Sequence, residues 1–288
     1  MKKSVLVLGG SGMAGHIVTK YLEETEKYDV INTCHNKLSN EKSIVLDIFD
    51  REKIVETLKN IKPNIVINCI GILTKKANDN PELAVYINSY FPRLLEQLGP
   101  KMNFKTIHLS TDCIFSGEKG NYTVFDIPDA KDMYGKSKAL GELKNDRDLT
   151  IRTSFIGPEL NENGVGLFHW FMNQHGIVNG YSNVFWTGLT TLELSKVVKK
   201  AIEMDLTGLH QIVPQEKISK YELLKLIQTV FCKDDVKIVA FQDKKLDKSL
   251  ILSVSFLVQN YYEMMRELKY WMVDHKYMYS KIYGSMQK

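Results

Sequence analysis

The first segment of the chain constrains the fold more than any other. A short apolar run, Ser4 to Leu8, leads directly into glycines spaced GxxGxxG and then into a helical pattern of apolar residues. Such glycines permit a tight turn and let the backbone approach a pyrophosphate, whose charge meets the helix N-terminus. The spacing differs from the GxGxxG of most dehydrogenases. The context of strand, turn and helix predicts a dinucleotide site with contacts from Gly9, Ser11, Gly12, Met13 and Gly15.

Strands and helices alternate along residues 1–157. Further β-rich runs stand at 29–32, 43–46, 64–70, 106–109 and 150–155, and helical patterns at 51–60, 81–98 and 134–143. This alternation predicts a parallel sheet wound by crossover helices. Pro92 is expected to kink the helix over 81–98.

The alternation weakens after Pro158 and returns as a helix at 192–204 and a strand at 208–213, with a further helix at 261–277. The expected fold class is α/β. A doubly wound, parallel-sheet Rossmann domain that binds NAD(P) is expected over 1–157, with 187–214 returning to it. A smaller C-terminal substrate-binding lobe is expected over 158–288.

Composition excludes several classes of protein. The formal net charge is only +4, from 38 basic and 34 acidic residues, without the clustered Lys and Arg of a nucleic-acid site. Cys34, Cys69, Cys113 and Cys232 show no CxxC or zinc spacing, which favours reduced thiols over disulfides.

Two segments bear on a membrane role. The N-terminal apolar run is too short for a signal peptide and is interrupted by glycines. Residues 163–192 lack Asp, Glu, Lys and Arg, but their glycines, asparagines and histidines exclude a membrane helix. We expect a soluble cytoplasmic protein without a membrane partner. The aromatic residues of 163–192 are expected in the core rather than in base stacking, and His169 and His175 have no carboxylate at metal spacing.

The choice of dinucleotide depends on the residues after the second strand. Thr33 to Lys37 contains no carboxylate for a ribose 2′-hydroxyl, whereas His35 and Lys37 could meet a 2′-phosphate. This favours NADPH over NADH, although a solvated loop is the alternative. Asp47 and Ile48, at the end of the third strand, are predicted cofactor contacts. Asp47 could accept a bond from the adenine amine or cap the next helix.

A proton donor is predicted by Tyr134 and Lys138, which are four residues apart and share one helical face. A free phenol has a pKa of about 10. An ammonium one turn away is expected to lower that pKa towards the range useful for acid–base catalysis. Thr111, at the end of the fifth strand, can bond the substrate oxygen.

These motifs resemble the extended short-chain dehydrogenases/reductases, and within them the dTDP-4-dehydrorhamnose reductase group. The matching segments are Gly9–Gly15, Asn68–Gly71, Ser110–Gly117, Tyr134–Glu142 and Ile151–Ser154. The resemblance implies hydride transfer from NADPH or NADH to the C4 ketone of a nucleotide-linked 6-deoxy sugar, in surface polysaccharide biosynthesis. It also allows a homodimer.

The resemblance implies a role for each matching position. The catalytic triad is Thr111, Tyr134 and Lys138. Cofactor contacts fall on Ile70, Gly71, Ser110, Tyr134 and Lys138. Substrate contacts fall on Thr111, Asp112, Phe155 and Trp186.

Departures from the group's pattern leave alternatives open. Related 4,6-dehydratases carry a Glu base where this chain has Cys113, so dehydration is not expected. Phe155 replaces a common Trp, and Trp186 to Thr191 replaces a Pro-Thr turn. A UDP-linked 2-acetamido-2,6-dideoxy-4-hexulose is therefore an alternative substrate. A dinucleotide-binding regulatory subunit without turnover is the alternative of another class. No metal site is predicted.

Overall fold

The structure, a computed structural model, describes residues 2–35 and 42–284. Its strands are β1 (Lys3–Leu8), β2 (Tyr28–Cys34), β3 (Ser43–Val45), β4 (Ile65–Asn68), β5 (Lys105–Ser110), β6 (Leu149–Arg152), β7 (Ser154–Ile156), β8 (Gly176–Tyr181), β9 (Val184–Trp186), β10 (Gly188–Thr190), β11 (Gly208–Gln211), β12 (Ile218–Ser219), β13 (Val236–Phe241) and β14 (Leu246–Asp247). Its α-helices are α1 (Met13–Glu24), α2 (Arg51–Ile61), α3 (Thr74–Asp79), α4 (Pro81–Ala84), α5 (Phe91–Met102), α6 (Met133–Leu140), α7 (Leu167–Met172), α8 (Thr191–Glu203), α9 (Lys220–Phe231), α10 (Tyr261–Asp274) and α11 (Lys276–Tyr283).

The central sheet has seven parallel strands in the order β11-β6-β5-β4-β1-β2-β3. The chain runs outwards from β1 to β3 on one side and from β4 to β11 on the other. The switch point therefore lies between β1 and β4, where ligands bind on such sheets. The doubly wound α/β prediction is confirmed.

Both faces of the sheet are covered, because successive side chains of a strand point to opposite faces. In β1, Val5 and Val7 pack with apolar residues of α1 and α8, including Val18 and Val198. Leu6 and Leu8 pack on the other face with residues of α2 and α5, including Ile54 and Leu95. Alternate residues of one short strand thus hold the two helical layers in place.

The predicted helix over 81–98 is divided. A π-helical turn, Val85–Tyr90, separates α4 from α5, and the Phe91 N–H donates to the carbonyl of Tyr86, five residues back. Pro92 has no N–H and cannot continue the α-helical ladder. The irregularity therefore lies in the turn before Pro92 rather than as a simple kink at it.

The second half of the chain forms smaller sheets, β10-β7, β12-β9-β14 and β13-β8, around another apolar cluster. That cluster includes Phe168, Leu223 and Leu268. The segment Gly208–Gln211 pairs with β6 at the edge of the central sheet. The domain boundary near residue 157 stays a prediction. No helix within residues 2–35 and 42–284 has both the length and the apolarity to cross a bilayer.

Candidate active site

The glycine turn between β1 and α1 has the shape of a phosphate cradle. Gly9 has φ +82°, which disfavours any other residue, and a Cβ at Gly15 would overlap the carbonyl oxygen of Gly9. The Gly12 N–H donates to that oxygen at 3.0 Å, and Gly12 caps α1 without a side chain. Ser11 and Gly12 are exposed, and the first turn of α1 carries no acidic residue. The open helix N-terminus therefore fits an anionic group.

The other predicted contacts of the turn lie around it. A Cβ at Gly9 would lie 2.9 Å from the side chain of Ile70, so Ile70 adjoins the turn across the switch point. Gly71 is exposed beside it. Met13 is half-buried, and its methyl group contacts the Cα region of Gly166 in the second half of the chain. The glycine turn is thus also in contact with a segment from the second half of the chain.

The structure describes some of the residues predicted to contact the adenosine half of the dinucleotide. His35 is exposed just after β2, whereas Lys37 lies outside the described residues. Asp47 is exposed and accepts from the Phe49 N–H at 3.0 Å. The N-cap of α2 is Asp50, which accepts from Lys53 N–H at 2.8 Å, so the alternative that Asp47 caps this helix is wrong. Asp47 keeps an exposed carboxylate.

Ile48 follows Asp47 and is buried. Its carbonyl accepts a hydrogen bond from the Tyr86 hydroxyl at 2.9 Å, which ties the loop after β3 to the π-helical turn. This bond fixes the position of the exposed Asp47 beside it.

The predicted triad comes together through a close backbone contact. Asp132 caps α6 by accepting from the Gly135 N–H at 2.8 Å. A Cβ at Gly135 would overlap the carbonyl oxygen of Cys113, so only glycine lets α6 lie this close to the turn after β5. This packing places Tyr134 of α6 next to the turn that carries Thr111, whose hydroxyl acts to lower the pKa of Tyr134.

Thr111 is held in place on both sides. Its hydroxyl donates to the buried Asp112 carboxylate at 3.0 Å and accepts from the Cys113 N–H at 3.1 Å. Burial raises the pKa of the Cys113 thiol to about 12, with Asp112 adding to the effect. The thiol is therefore protonated at neutral pH, as expected of a residue that cannot replace the dehydratase base.

The pKa values of Tyr134 and Lys138 are shifted in opposite directions. Burial raises the pKa of Tyr134, Cys113 adds to this, and the bond with Thr111 opposes it. Burial lowers the pKa of Lys138 to about 8, against the effects of Glu142 and Cys69. The prediction that Lys138 lowers the pKa of Tyr134 is wrong for this structure, because burial dominates at both groups.

The Lys138 side chain is buried against strand β5. Only 5% of Lys138 is exposed. Its Nζ donates to the carbonyl oxygen of Leu109 at 2.6 Å and lies 3.4 Å from His108 Nε2. The nitrogen is thus bonded to strand β5.

Ser110 has a different environment from its neighbour Thr111. Its hydroxyl donates to Glu142 at 2.8 Å, and Glu142 forms a buried two-point ion pair with Arg152 at 2.8 and 2.9 Å. Such a pair needs every oxygen satisfied. The Ser110 hydroxyl is used for that, which leaves its backbone for the predicted cofactor contact.

The predicted substrate residues are less accessible than expected. Phe155, in β7, is half-buried against the core, and only 4% of Trp186 is exposed. Trp186 packs with Tyr261 at 5.9 Å between ring centroids. The ammonium of Lys220 lies 4.6 Å from the centroid of its ring.

Two lysines missed by the sequence reasoning approach the triad from the second half of the chain. Burial lowers the pKa of Lys220 to about 8, while electrostatic interactions with Asp112 and Cys113 raise it. Lys248 likewise lowers the pKa of the Cys113 thiol. Isolated lysines in sequence give no signal for such convergence.

His169 and His175, which the sequence analysis did not assign as metal ligands, have other partners. His169 bonds the Tyr283 hydroxyl at 3.0 Å, and His175 pairs with Asp235. In the part of the chain that the structure describes, His, Cys, Asp and Glu form no group of three or more placed to hold a metal ion.

The sequence of the chain is similar to those of known reductases. Over 158 residues the chain is 32% identical to a probable low-salt glycan biosynthesis reductase, Agl14, of Haloferax volcanii, covering 52% of each chain. Over 167 residues it is 28% identical to a dTDP-4-dehydrorhamnose reductase of Aggregatibacter actinomycetemcomitans, covering 56% of this chain and 54% of that one. The chain thus spans about half the length of the curated relatives it matches.

Similarity of structure extends further along the chain. A dTDP-4-dehydrorhamnose reductase of Bacillus anthracis, solved in complex with NADP, superposes with a TM-score of 0.78. The match covers 93% of this chain and 99% of that one, at 20% identity, which establishes a shared fold. A protein-family model, described as the RmlD substrate binding domain, matches residues 1–250. The chain therefore belongs to the RmlD substrate binding domain family.

Proposed function

We propose that this protein is an NAD(P)H-dependent oxidoreductase that reduces the C4 ketone of a nucleotide-linked 4-keto-6-deoxy sugar, in the manner of a dTDP-4-dehydrorhamnose reductase. The observation that carries the proposal is the close packing of α6, which bears Tyr134 and the buried Lys138, against the turn after β5 that carries Thr111. Family membership and the names of the relatives support the same reaction. Surface polysaccharide biosynthesis is the proposed setting.

The cofactor site is assigned to residues around the switch point. The cradle closed by Gly9 and Gly15 and the uncapped N-terminus of α1 fit a pyrophosphate. When bound, NADPH or NADH supplies the hydride. The exposed His35 is the proposed partner of a 2′-phosphate, which favours NADPH, and the exposed Asp47 is the proposed partner of the adenine amine. Lys138 is the proposed partner of the nicotinamide ribose.

Tyr134 is the proposed proton donor. Since burial raises its pKa, the phenol keeps its proton at neutral pH and can pass it to the sugar alkoxide, which is the stronger base. Thr111, on the turn against which α6 packs, is proposed to bond the same sugar oxygen. The O–H bond of Tyr134 breaks as the O–H bond of the alcohol product forms.

The substrate side is assigned to charge as well as to aromatic rings. Lys220 and Lys248 face the Asp112–Cys113 segment, and two cations suit the diphosphate of a sugar nucleotide. Phe155 and Trp186 are the predicted aromatic contacts of the sugar, although Trp186 offers little exposed surface. These lysines are proposed to bind the diphosphate, while Asp112 orients Thr111.

The identity of the sugar is a separate part of the proposal. Phe155 and the Trp186 to Thr191 segment depart from the common pattern, which supports the UDP-linked 2-acetamido-2,6-dideoxy-4-hexulose as second candidate. A cytoplasmic location and a homodimer are predictions that accompany either substrate.

The test follows NADPH absorbance with dTDP- and UDP-linked 4-keto-6-deoxy sugars. Turnover of one sugar with wild-type protein, and its loss in Tyr134→Phe with dinucleotide binding retained, is the expected result. Dinucleotide binding without turnover of any keto sugar would contradict the proposal and favour a regulatory subunit.

A further inference from the structure

A buried histidine lies behind the proposed catalytic lysine. His108 is fully buried in β5 and stands directly opposite Asn68 of β4 in the parallel register. Its Nδ1 lies 3.1 Å from Asn68 Nδ2, and its Nε2 lies 3.4 Å from Lys138 Nζ. The imidazole therefore connects the end of β4 to the lysine amine.

The orientation of Asn68 fixes which ring nitrogen carries the proton. The Ile70 N–H donates to Asn68 Oδ1 at 3.1 Å, so the amide NH₂ group faces His108. An amide NH₂ only donates hydrogen bonds, and a neutral imidazole has one donor and one acceptor nitrogen. Nδ1 is consequently the acceptor and Nε2 carries the proton.

The charge state of His108 agrees with this assignment. Burial holds its pKa well below the usual range, and the positive charges of Lys138 and Arg93 act in the same direction. The ring is therefore neutral at neutral pH. A single proton is present, and Asn68 places it on Nε2.

That proton points at Lys138. The Leu109 carbonyl already accepts one hydrogen of Nζ, at 2.6 Å. An ammonium has no lone pair, so it would meet the Nε2–H with another N–H. A neutral amine instead accepts from Nε2–H while donating to Leu109.

We propose that His108 is a positioning residue which, with its tautomer set by Asn68, stabilises the neutral amine of Lys138 relative to the ammonium in the cofactor-free protein. The inference rests on the proposed function only in giving Lys138 a catalytic role. It assigns to His108 the range of pH over which Lys138 carries its proton.

Other charged groups around Lys138 act differently. Glu142 and Cys69 both favour the ammonium. Glu142 is largely neutralised by Arg152 and has Lys144 at 4.0 Å, and the Cys69 thiol stays protonated because burial raises its pKa to about 12. His108 and burial thus oppose one largely neutralised carboxylate and a thiol that is uncharged at neutral pH.

The direct test is the ring tautomer of His108, read by two-bond ¹⁵N–¹H correlation spectra of the full chain labelled at histidine, without added dinucleotide. The expected wild-type result is the Nε2–H tautomer. Asn68→Asp should switch it to Nδ1–H, because a carboxylate can only accept. The matched control is Asn64→Asp, which adds the same charge before β4, where Asn64 accepts from the Ser4 N–H. An Nδ1–H tautomer in the wild-type protein would overturn the inference.

The consequence for Lys138 is tested by the pH profile of kcat/KM for the dinucleotide, which reports groups of the free enzyme. Because Lys220 also has a pKa lowered to about 8, all chains carry Lys220→Met. In Asn68→Asp, the fall of kcat/KM at basic pH should move to a pH higher by at least about one unit. Such a shift is a tenfold increase in the proton affinity of Lys138. The shift should be smaller in a His108→Phe background, which keeps the added charge but has no tautomer.

The two arms separate the possible failures. An equal shift in both backgrounds would mean that charge alone acts, and would contradict the role of His108. If no keto sugar is turned over, the proposed function fails while the spectra still decide the tautomer. If the tautomer is Nδ1–H and turnover is normal, the reductase proposal stands without this inference.

Discussion

The two sides of the proposed cleft are built by different means. On the cofactor side, backbone geometry decides: Gly9 needs a positive φ, and a Cβ at Gly15 or Gly135 would overlap a carbonyl oxygen. On the substrate side, side chains decide: Lys220 and Lys248 come from separate elements of the second half of the chain. A backbone constraint leaves a fixed glycine pattern in the sequence, whereas a side-chain constraint can be met in many ways. The reaction is therefore easier to infer than the substrate.

The largest effect is expected from Tyr134→Phe, which removes the proposed proton donor and leaves both sides of the proposed cleft in place. Turnover should fall by about 10² to 10⁴, the usual contribution of a general acid. Dinucleotide affinity, measured by fluorescence titration, should be unchanged. Tyr90→Phe is the matched control, since Tyr90 is exposed on the π-helical turn. Full turnover in Tyr134→Phe would contradict the assignment of Tyr134 as the proton donor.

Lys138→Met tests the cost of the buried amine. The pKa of Lys138 is about 8 in the folded protein and higher in the unfolded chain, so at pH 7 the unfolded state binds the proton more strongly. The penalty is present below pH 8 and is lost as pH rises towards the unfolded pKa of about 10.4. Met should therefore raise the free energy of unfolding at pH 7 by up to about 3 kcal/mol. Urea denaturation at pH 7 and 10 checks this, and a gain that does not shrink with pH would contradict it.

The cofactor side is dissected by two glycine substitutions. Gly15→Ala forces α1 away from the turn, and should lower both dinucleotide affinity and stability, the latter by about 1–3 kcal/mol. Gly12→Ala places its methyl in the open turn, with Gly9 O the nearest atom at 3.3 Å. It should lower dinucleotide affinity with little loss of stability. Equal losses of stability would show that the open turn is not shaped for a ligand.

The smallest effect is expected on the substrate side. Lys220→Met removes one cation near Asp112 and should raise KM for the sugar nucleotide about tenfold, or about 1.4 kcal/mol. Dinucleotide affinity should be unchanged. Lys225→Met, on the exposed face of α9, is the control. A loss of dinucleotide affinity in Lys220→Met would mean that Lys220 serves the cofactor rather than the sugar nucleotide.

Local patterns allowed much of the cofactor side to be predicted. The strand, glycine turn and helix of 4–24 and the placement of Tyr134 and Lys138 on α6 depend on neighbours in sequence. Tertiary contacts decided the rest. The cap of α2 is Asp50 rather than Asp47, and burial rather than the lysine controls the pKa of Tyr134. His108 gave no signal, because its role depends on register with Asn68.

The central claim is that this chain passes a hydride to a keto sugar. The most direct measurement uses NADPH deuterated at C4 of the nicotinamide, with the panel of nucleotide-linked 4-keto sugars and mass and NMR analysis of the products. The account predicts deuterium at C4 of one sugar with wild-type protein and almost none with Tyr134→Phe. Tight dinucleotide binding with no deuterium on any sugar would contradict it.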